Sequence, residues 1–323
     1  AHYFYPDYLI DGGRKQPLPG NAGFYDLDPP FAGAFPAYGP EGRLRREYAH
    51  DLVFARTLRF LREHAQEPFF LYAPWTPPHG RLEIPEDDPA WTAYAGEDWP
   101  LKAKLTAAMV SMVDRQVGLL MRELEALGIA DRTLVLFCSD NGADARYDGV
   151  LDSCGPFRGK KRSMYEGGLR VPLIARWPGV VPAGATSARP VHFADFLPTL
   201  AELGGAEVPA DLDGRSFAPT LRGQPQVPPP FLYWEWERYD WGKRRLAPDG
   251  LTQAARAGKW KAVRRRPDAP LELYDLQADP GEAHDLAADH PDRVTAMTEL
   301  LDREHRPMRA QQEPSMPAGK KYR

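Results

Sequence analysis

The chain has 323 residues, 43% apolar and 11% aromatic, enough to bury the core of one large domain and a small one, and its 34 prolines then mark ordered loops and exclude a disordered chain. A formal net charge of -4 excludes a general attraction to nucleic acid or to an anionic membrane surface, and no apolar run approaches the roughly 18 residues of a membrane helix. Two cysteines, Cys138 and Cys154, are too few for a disulfide framework or a cysteine-rich metal site.

Residues 1–45 are rich in aromatic residues, Gly and Pro and read as loop with a short strand. The start, Ala1-His2-Tyr3-Phe4-Tyr5-Pro6, has neither an initiator Met nor a signal-peptide pattern, so an upstream part of the gene product is expected. From Glu47 to about His64, Phe54, Leu58 and Leu61 fall at helical spacing, with Leu52 and Ala55 widening the apolar face. Pro68 ends that helix. Phe69 to Ala73 is expected to form a buried strand that delivers Trp75-Thr76-Pro77-Pro78-His79-Gly80 at its carboxyl end. A histidine between prolines and a glycine is on its own an ordinary exposed residue, but its unperturbed pKa also suits proton transfer near neutral pH.

Glu83, Glu86, Asp87 and Asp88 lie in a proline-rich stretch over 81–100 that reads as a solvated surface loop. A long helix follows from about Leu101 to Leu127, carrying Leu105, Met109, Met112, Leu120 and Leu124, with Gly128 as its terminator. Leu134, Val135, Leu136 and Phe137 then form a buried strand that ends in Ser139-Asp140-Asn141-Gly142. A carboxylate and an amide at the carboxyl end of a buried strand stand where open α/β sheets hold ligands, and both are donors of the kind Ca²⁺ or Mg²⁺ prefers. Asp-Asn-Gly is also a strong turn signal, and the two readings are compatible. Two successive strand-helix units predict an α/β fold with a mixed, largely parallel sheet flanked by helices.

Arg158-Gly159-Lys160-Lys161-Arg162 is, as a bare charge run, a solvated basic face; close to hard-metal ligands it points to an anionic substrate. Glu166-Gly167-Gly168 reads as a turn needing positive φ before a strand from Val171 to Ala175. Asp195 is a plausible N-cap for a helix running to Leu203, and the Gly/Pro-rich stretch ending in Pro228-Pro229-Pro230 divides the chain into 1–230 and 231–323. In the second part, Phe231 to Glu237, Ala254 to Val263 and Leu271 to Leu276 read as strands of an antiparallel sheet, with a closing helix over Asp292 to His305. Trp234, Trp236 and Trp260 either pack the core or line a sugar pocket, with core packing favoured. Arg264-Arg265-Arg266 reads as a solvated turn and Gln311 to Arg323 as a loose tail.

The order of strand, S-D-N-G, loop, R-G-x-K, E-G-G-x-R-V-P, strand and R-W-P-G resembles the type I, formylglycine-dependent sulfatases of the alkaline-phosphatase-like superfamily. Pro77-Pro78-His79-Gly80 resembles the family's catalytic histidine loop, and Leu273-Tyr274-Asp275-Leu276 with Asp279-Pro280-Gly281-Glu282 resembles its C-terminal α+β domain. The resemblance implies hydrolysis of sulfate esters, of sulfated sugars or aryl sulfates, in the periplasm or outside the cell. It implies that Asp140 and Asn141 bind a divalent metal, usually Ca²⁺, with Mg²⁺ possible. It further implies that Lys161, and not Lys160, bridges the sulfate and the leaving oxygen, and that His79 assists that oxygen. Lys160 stands where many members have glycine.

The formylglycine nucleophile, an acidic metal-binding pair, and a further lysine and histidine are expected upstream of Ala1, so the fragment alone is expected to be inactive. Cys154-Gly155-Pro156-Phe157-Arg158 imitates the family's C-x-P-x-R. It follows the Asp-Asn pair and overlaps the lysine loop, whereas the family's nucleophile precedes both, so Cys154 reads as a free thiol. Two rivals stand beside the sulfatase reading: a phosphatase or phosphonate monoester hydrolase of the same superfamily, and a non-catalytic protein that binds sulfated glycans.

Overall fold

A computed structural model of the chain describes residues 4–21, 46–240 and 245–307. Residues 1–3, the loop expected over 22–45 and the tail expected at 311–323 lie outside the described residues. The chain forms two compact units that cut across the linear division at residue 230. One comprises Ala1–Gly155, Val171–Ser187 and Pro219–Gln224; the other comprises Pro156–Arg170, Ala188–Ala218 and Pro225–Arg323.

In the first unit Gly12 and Gly13, at φ 57° and 77°, close a hairpin between β1 (Tyr8–Asp11) and β2 (Arg14–Pro17). Two consecutive positive φ values are what a tight hairpin turn asks for, and glycine supplies them without strain. Helix α1 (Ala49–His64) buries Phe54, Thr57 and Leu61, while Leu52, expected on its apolar face, is exposed. The segment Phe69–Ala73 runs extended but has no ladder partner among the described residues. Its residues alternate as extended chain must: Phe69 and Leu71 pack against the cluster of Leu61, Leu124 and Ile129, and Phe70 and Tyr72 point outward at 70% and 76% exposure.

The acidic stretch after it is not simply a solvated loop. Glu83 and Asp88 are buried, and Asp88 caps α2 (Pro89–Tyr94) by accepting from the Ala90 N–H at 2.8 Å while pairing with Arg115 at 2.6 Å. Helix α3 (Leu101–Ala126) matches its expected span. Its first half packs Leu105, Ala108, Met109 and Met112 against Phe4, Tyr5, Tyr48 and Ile84, and Leu124 near its end joins Leu61, Ala65 and Ile129. It stops at Gly128, φ 68°, where Gly128 N–H donates to Glu125 O and Ile129 N–H to Leu124 O, each at 3.0 Å. That is the paired-bond helix terminator in which a glycine takes the left-handed residue.

Strand β3 (Val135–Cys138) pairs with β4 (Leu173–Arg176), Val135 opposite Arg176 and Cys138 opposite Leu173. The pairing is antiparallel, as is every strand pair among the described residues, so the parallel order expected of the sheet is not displayed in them. Phe69–Ala73, the segment that would have supplied a parallel neighbour, is unpaired, and β3 reaches β4 through a loop that returns the chain to the end it left.

The second unit is built on a four-stranded antiparallel sheet ordered β5 (Leu232–Asp240), β6 (Arg245–Ala257), β7 (Trp260–Arg264) and β8 (Glu272–Asp275). The single strand expected over Ala254–Val263 is instead the β6–β7 hairpin, turned at Gly258 with φ 60°. One face places Ala255, Ala262, Leu271 and Leu273 against Met297, Leu300 and Leu301 of a closing helix over Pro291–Glu304. The other places Ala254, Val263 and Tyr274 against Met164, with Tyr165, Leu169 and Trp234 around them. Alternation along each strand thus gives the sheet two buried faces, one for the helix and one for the lysine loop. Trp234 and Trp260 pack into these clusters, as expected of core residues, and Trp236 is 39% exposed.

Candidate active site

His79 follows the extended segment 69–73 on a short turn, its N–H donating to Thr76 O at 2.9 Å. The loop is seated by Trp75, whose ring meets the edges of His50 and Phe54 on α1 at centroid distances of 5.6 and 5.7 Å. The Pro77-Pro78 bond is cis, and Arg81 takes a left-handed φ of 61° just beyond the histidine. His50 is buried and pairs through Nε2 with Gln116 Oε1 at 2.5 Å; Gln116 in turn donates to Asp51. Burial holds the His50 pKa below its ordinary 6.5. The unfolded chain therefore binds the proton more readily, and the stability His50 allows is full above pH 6.5 and falls as the pH drops toward the folded-state value. The thermal midpoint should be lower at pH 5 than at pH 7, and His50→Gln should shrink that difference; an unchanged difference would remove His50 from the effect.

Asp140 and Asn141 lie where the sequence places them, just past the carboxyl end of β3. Ser139 Oγ donates to Asn141 O at 3.2 Å, and the chain bends over 140–142. Neither the Asp140 carboxylate nor the Asn141 amide has a hydrogen-bond or ion-pair partner among the described residues, which leaves their oxygens available as donors. A hard cation takes about six to eight oxygens, and no group of three or more His, Cys, Asp or Glu able to hold a metal occurs among the described residues. The pair therefore fits a divalent cation chemically as part of a donor set. Beside it, burial and the Asp140 charge push the Cys138 thiol up.

The lysine loop, residues 156–170, belongs to the second unit and is built onto the sheet. Arg158 is exposed but anchored: its Nη1 donates to Tyr274 Oη at 2.9 Å and to Glu282 O at 3.0 Å, and its guanidinium lies 4.0 Å from the Tyr165 ring centroid. Tyr165 donates to Glu272 at 2.6 Å, and burial together with that carboxylate pushes its pKa up to about 12, so it remains a donor. Between these anchors Ser163 N–H donates to Lys160 O at 3.0 Å, closing a turn whose corner residues are Lys161 and Arg162. Arg162 takes φ 72°, a conformation that costs a residue with a Cβ about 1 kcal/mol or more and for which glycine is the usual occupant. Lys161 is half-buried, and its ammonium has no partner among the described residues.

The Glu166-Gly167-Gly168 segment is not a positive-φ turn. It forms a four-residue helix, α4 (Glu166–Leu169), and its glycines serve close approach instead. A Cβ on Gly167 would lie 2.6 Å from Arg158 O, and one on Gly168 would lie 2.2 Å from Ser163 O. The positive φ values in this loop fall on Gly159, at 80°, and on Arg162.

The Lys261 ammonium, completely buried on β7, lies 2.8 Å from Glu166 Oε1 and 2.8 Å from Glu282 Oε1, while Glu282 Oε2 accepts the Glu166 N–H at 2.6 Å. Burial pushes the Glu282 carboxyl up and Lys261 opposes it. No motif singled out Lys261. The signal available was a lysine alternating with alanine and valine on a strand, flanked by the glycine of a hairpin. Lys261→Met should destabilise the protein by about 3–5 kcal/mol, because it leaves two buried carboxylates without a counter-ion. A denaturant midpoint within error of wild type would contradict this.

Cys154 is buried at 7% exposure and belongs to the first unit, whereas the lysine loop starts at Pro156 in the second. Both cysteines are free thiols. A buried thiol does not fit the family's aldehyde nucleophile, which a modifying enzyme and a substrate must both reach.

This mixed α/β structure with an antiparallel C-terminal sheet has the alkaline-phosphatase-like fold. It aligns with the solved structure of Ps i-CgsB in complex with k-i-k-neocarrahexaose at TM-score 0.69 and 28% identity, over 82% of this chain and 56% of that one. In fold alone it also matches a phosphonate monoester hydrolase of Agrobacterium radiobacter, at TM-score 0.62 and 22% identity, over 79% of this chain and 60% of that one. Residues 12–206 match the Sulfatase family and residues 157–311 match the N-sulphoglucosamine sulphohydrolase C-terminal family, so the chain belongs to the sulfatase family. Among its relatives are a sulfatase of Formosa agariphila, 34% identical over 72% of this chain and 44% of the relative, and the steryl-sulfatase of Mus musculus, 31% identical over 85% and 46%. An N-acetylgalactosamine-6-O-sulfatase of Bacteroides thetaiotaomicron is 28% identical over 78% of this chain and 50% of its own length. The chain thus spans about half the length of the curated relatives it matches.

Proposed function

We propose that this chain contributes His79, Lys161, Asp140 and Asn141 to a sulfuric-ester hydrolase acting on sulfated sugars or aryl sulfates. The observation that carries the reading is the state of Lys161 within a chain of the sulfatase family: an ammonium without a partner among the described residues, on a turn fastened at both ends to a buried sheet. The turn that carries this cation is fixed before a tetrahedral anion arrives, and the charge counts most where negative charge gathers in the transition state. The names of the relatives, one a sugar sulfatase, support the substrate class.

The roles follow from the chemistry of each group. Lys161 would bind a sulfate oxygen and stay with the leaving oxygen as charge shifts to it. His79, on a loop braced by Trp75, would pass a proton to that oxygen as the S–O bond breaks. Asp140 and Asn141 would hold a divalent cation, which when bound would supply fixed positive charge to stabilise negative charge on the sulfate. The nucleophile is assigned to no residue of this chain, and secretion or export to the periplasm is part of the same proposal.

In the complete protein, His79→Ala and Lys161→Ala should each lower aryl sulfate hydrolysis by about a hundredfold or more, since each group acts mainly on transition-state charge. Near wild-type rates in both variants would remove them from the mechanism. Asp140→Ala should shift the calcium dependence of the same assay to higher added calcium, through loss of an anionic ligand; a titration curve that overlays wild type would leave Asp140 a turn residue only. A phosphonate monoester hydrolase remains the second reading, supported by a further neighbour, that of Silicibacter pomeroyi, at 25% identity and TM-score 0.52 over 63% of this chain and 40% of that one. Faster turnover of a phosphonate monoester than of the matching sulfate ester would favour it.

A further inference from the structure

The corner of the lysine loop carries three consecutive cations, Lys160, Lys161 and Arg162, and none has a side-chain partner among the described residues. Elsewhere several surface cations are paired: Arg59 with Glu63, Arg62 with Glu123, Arg264 with Asp302 and Arg265 with Glu272. In a chain with more acidic than basic residues, three adjacent unpaired cations are kept against the overall balance. The backbone adds to the same sign. The N–H groups of Lys161 and Arg162 donate to no described acceptor, and a turn with one left-handed residue turns such donors toward a common concavity. The corner is also stiff, since Gly159, Gly167 and Gly168 each stand where a Cβ would meet an atom of the loop at 2.2–2.6 Å.

We propose that Lys160 and Arg162 form a second sulfate subsite beside Lys161, so that the natural ligand is a saccharide carrying at least two sulfates. This rests on the reading of Lys161 as the group that takes the sulfate to be cut. One sulfate on Lys161 leaves two like charges in a single turn, and a second sulfate on the same sugar neutralises them with charge-assisted hydrogen bonds from two exposed side chains that have no partner among the described residues. The tolerance of a left-handed arginine at 162 fits this assignment, because glycine would relax the turn there and bring no charge.

The test is calorimetric titration of the 323-residue chain with glucosamine 6-sulfate and with glucosamine N,6-disulfate at low salt. The disulfate should bind about tenfold more tightly than the monosulfate. Lys160→Gly/Arg162→Gly should bring the ratio to about one without moving monosulfate affinity by more than about twofold. Lys160→Gln/Arg162→Gln, which keeps side chains of similar length, should do the same and guards against a misfolded glycine variant. The proposal is overturned if the wild-type chain binds neither sugar, if it fails to discriminate, if the ratio survives both double variants, or if monosulfate affinity falls in step with disulfate. Turnover is not read in this experiment, so failure of the hydrolase reading, judged by aryl sulfate assay of the complete protein, is separately visible.

Discussion

A single buried ammonium ties the lysine loop to the C-terminal sheet. Lys261 enters from an interior strand of the C-terminal sheet and meets one carboxylate from the lysine loop and one from the segment after β8, both sealed from water. Two buried carboxylates with one cation would be a poor arrangement if any of the three were free to move, since an unpaired buried charge is far more costly than the pair is favourable. The stable solution is the one in which all three are fixed, and fixing Glu166 fixes the end of the loop that begins at Arg158. The loop's conformation is therefore determined from beneath, by the sheet, and its corner is left to face outward.

The two faces of that sheet divide the work. The closing helix covers one with Met297, Leu300 and Leu301, an ordinary apolar seal. The other meets Met164, Tyr165 and Leu169 and carries the polar contacts of Arg158, Tyr165 and Glu166, so that apolar packing and hydrogen bonds converge on fewer than ten residues. In the first unit the histidine loop is held differently, by aromatic edges. Trp75 leans on His50 and Phe54, and burial holds the His50 pKa below its ordinary value. Of the two groups so placed, the Lys161 ammonium has no partner among the described residues.

Local sequence carried much of this. The long helix and its glycine stop, the strand ending in Asp140-Asn141 and the closing helix all declared themselves through periodicity and terminators, because those elements are decided by neighbours three or four residues away. What could not be read locally depended on distant partners. Lys261 looks like any strand lysine until Glu166 and Glu282 are brought to it from 95 and 21 positions away. Glu166-Gly167-Gly168 suggested positive φ, but those glycines answer to crowding by Arg158 O and Ser163 O, which only the folded loop reveals. Asp88 read as one more acidic surface residue because its partner, Arg115, lies on another helix. The hairpin at Gly258 was hidden inside a run whose alternation continues across the turn.

The way the lysine loop is seated bears on how such a chain can change over time. A cut at residue 230 would look natural from the linear sequence, with a proline run marking the joint. It would leave Lys161 on one side and Lys261, Glu272, Tyr274 and Glu282 on the other. Recombination that exchanged the C-terminal segment for a foreign one would have to supply that whole set in matching positions, or the loop would lose its floor. The two stretches are thus expected to be inherited as a pair.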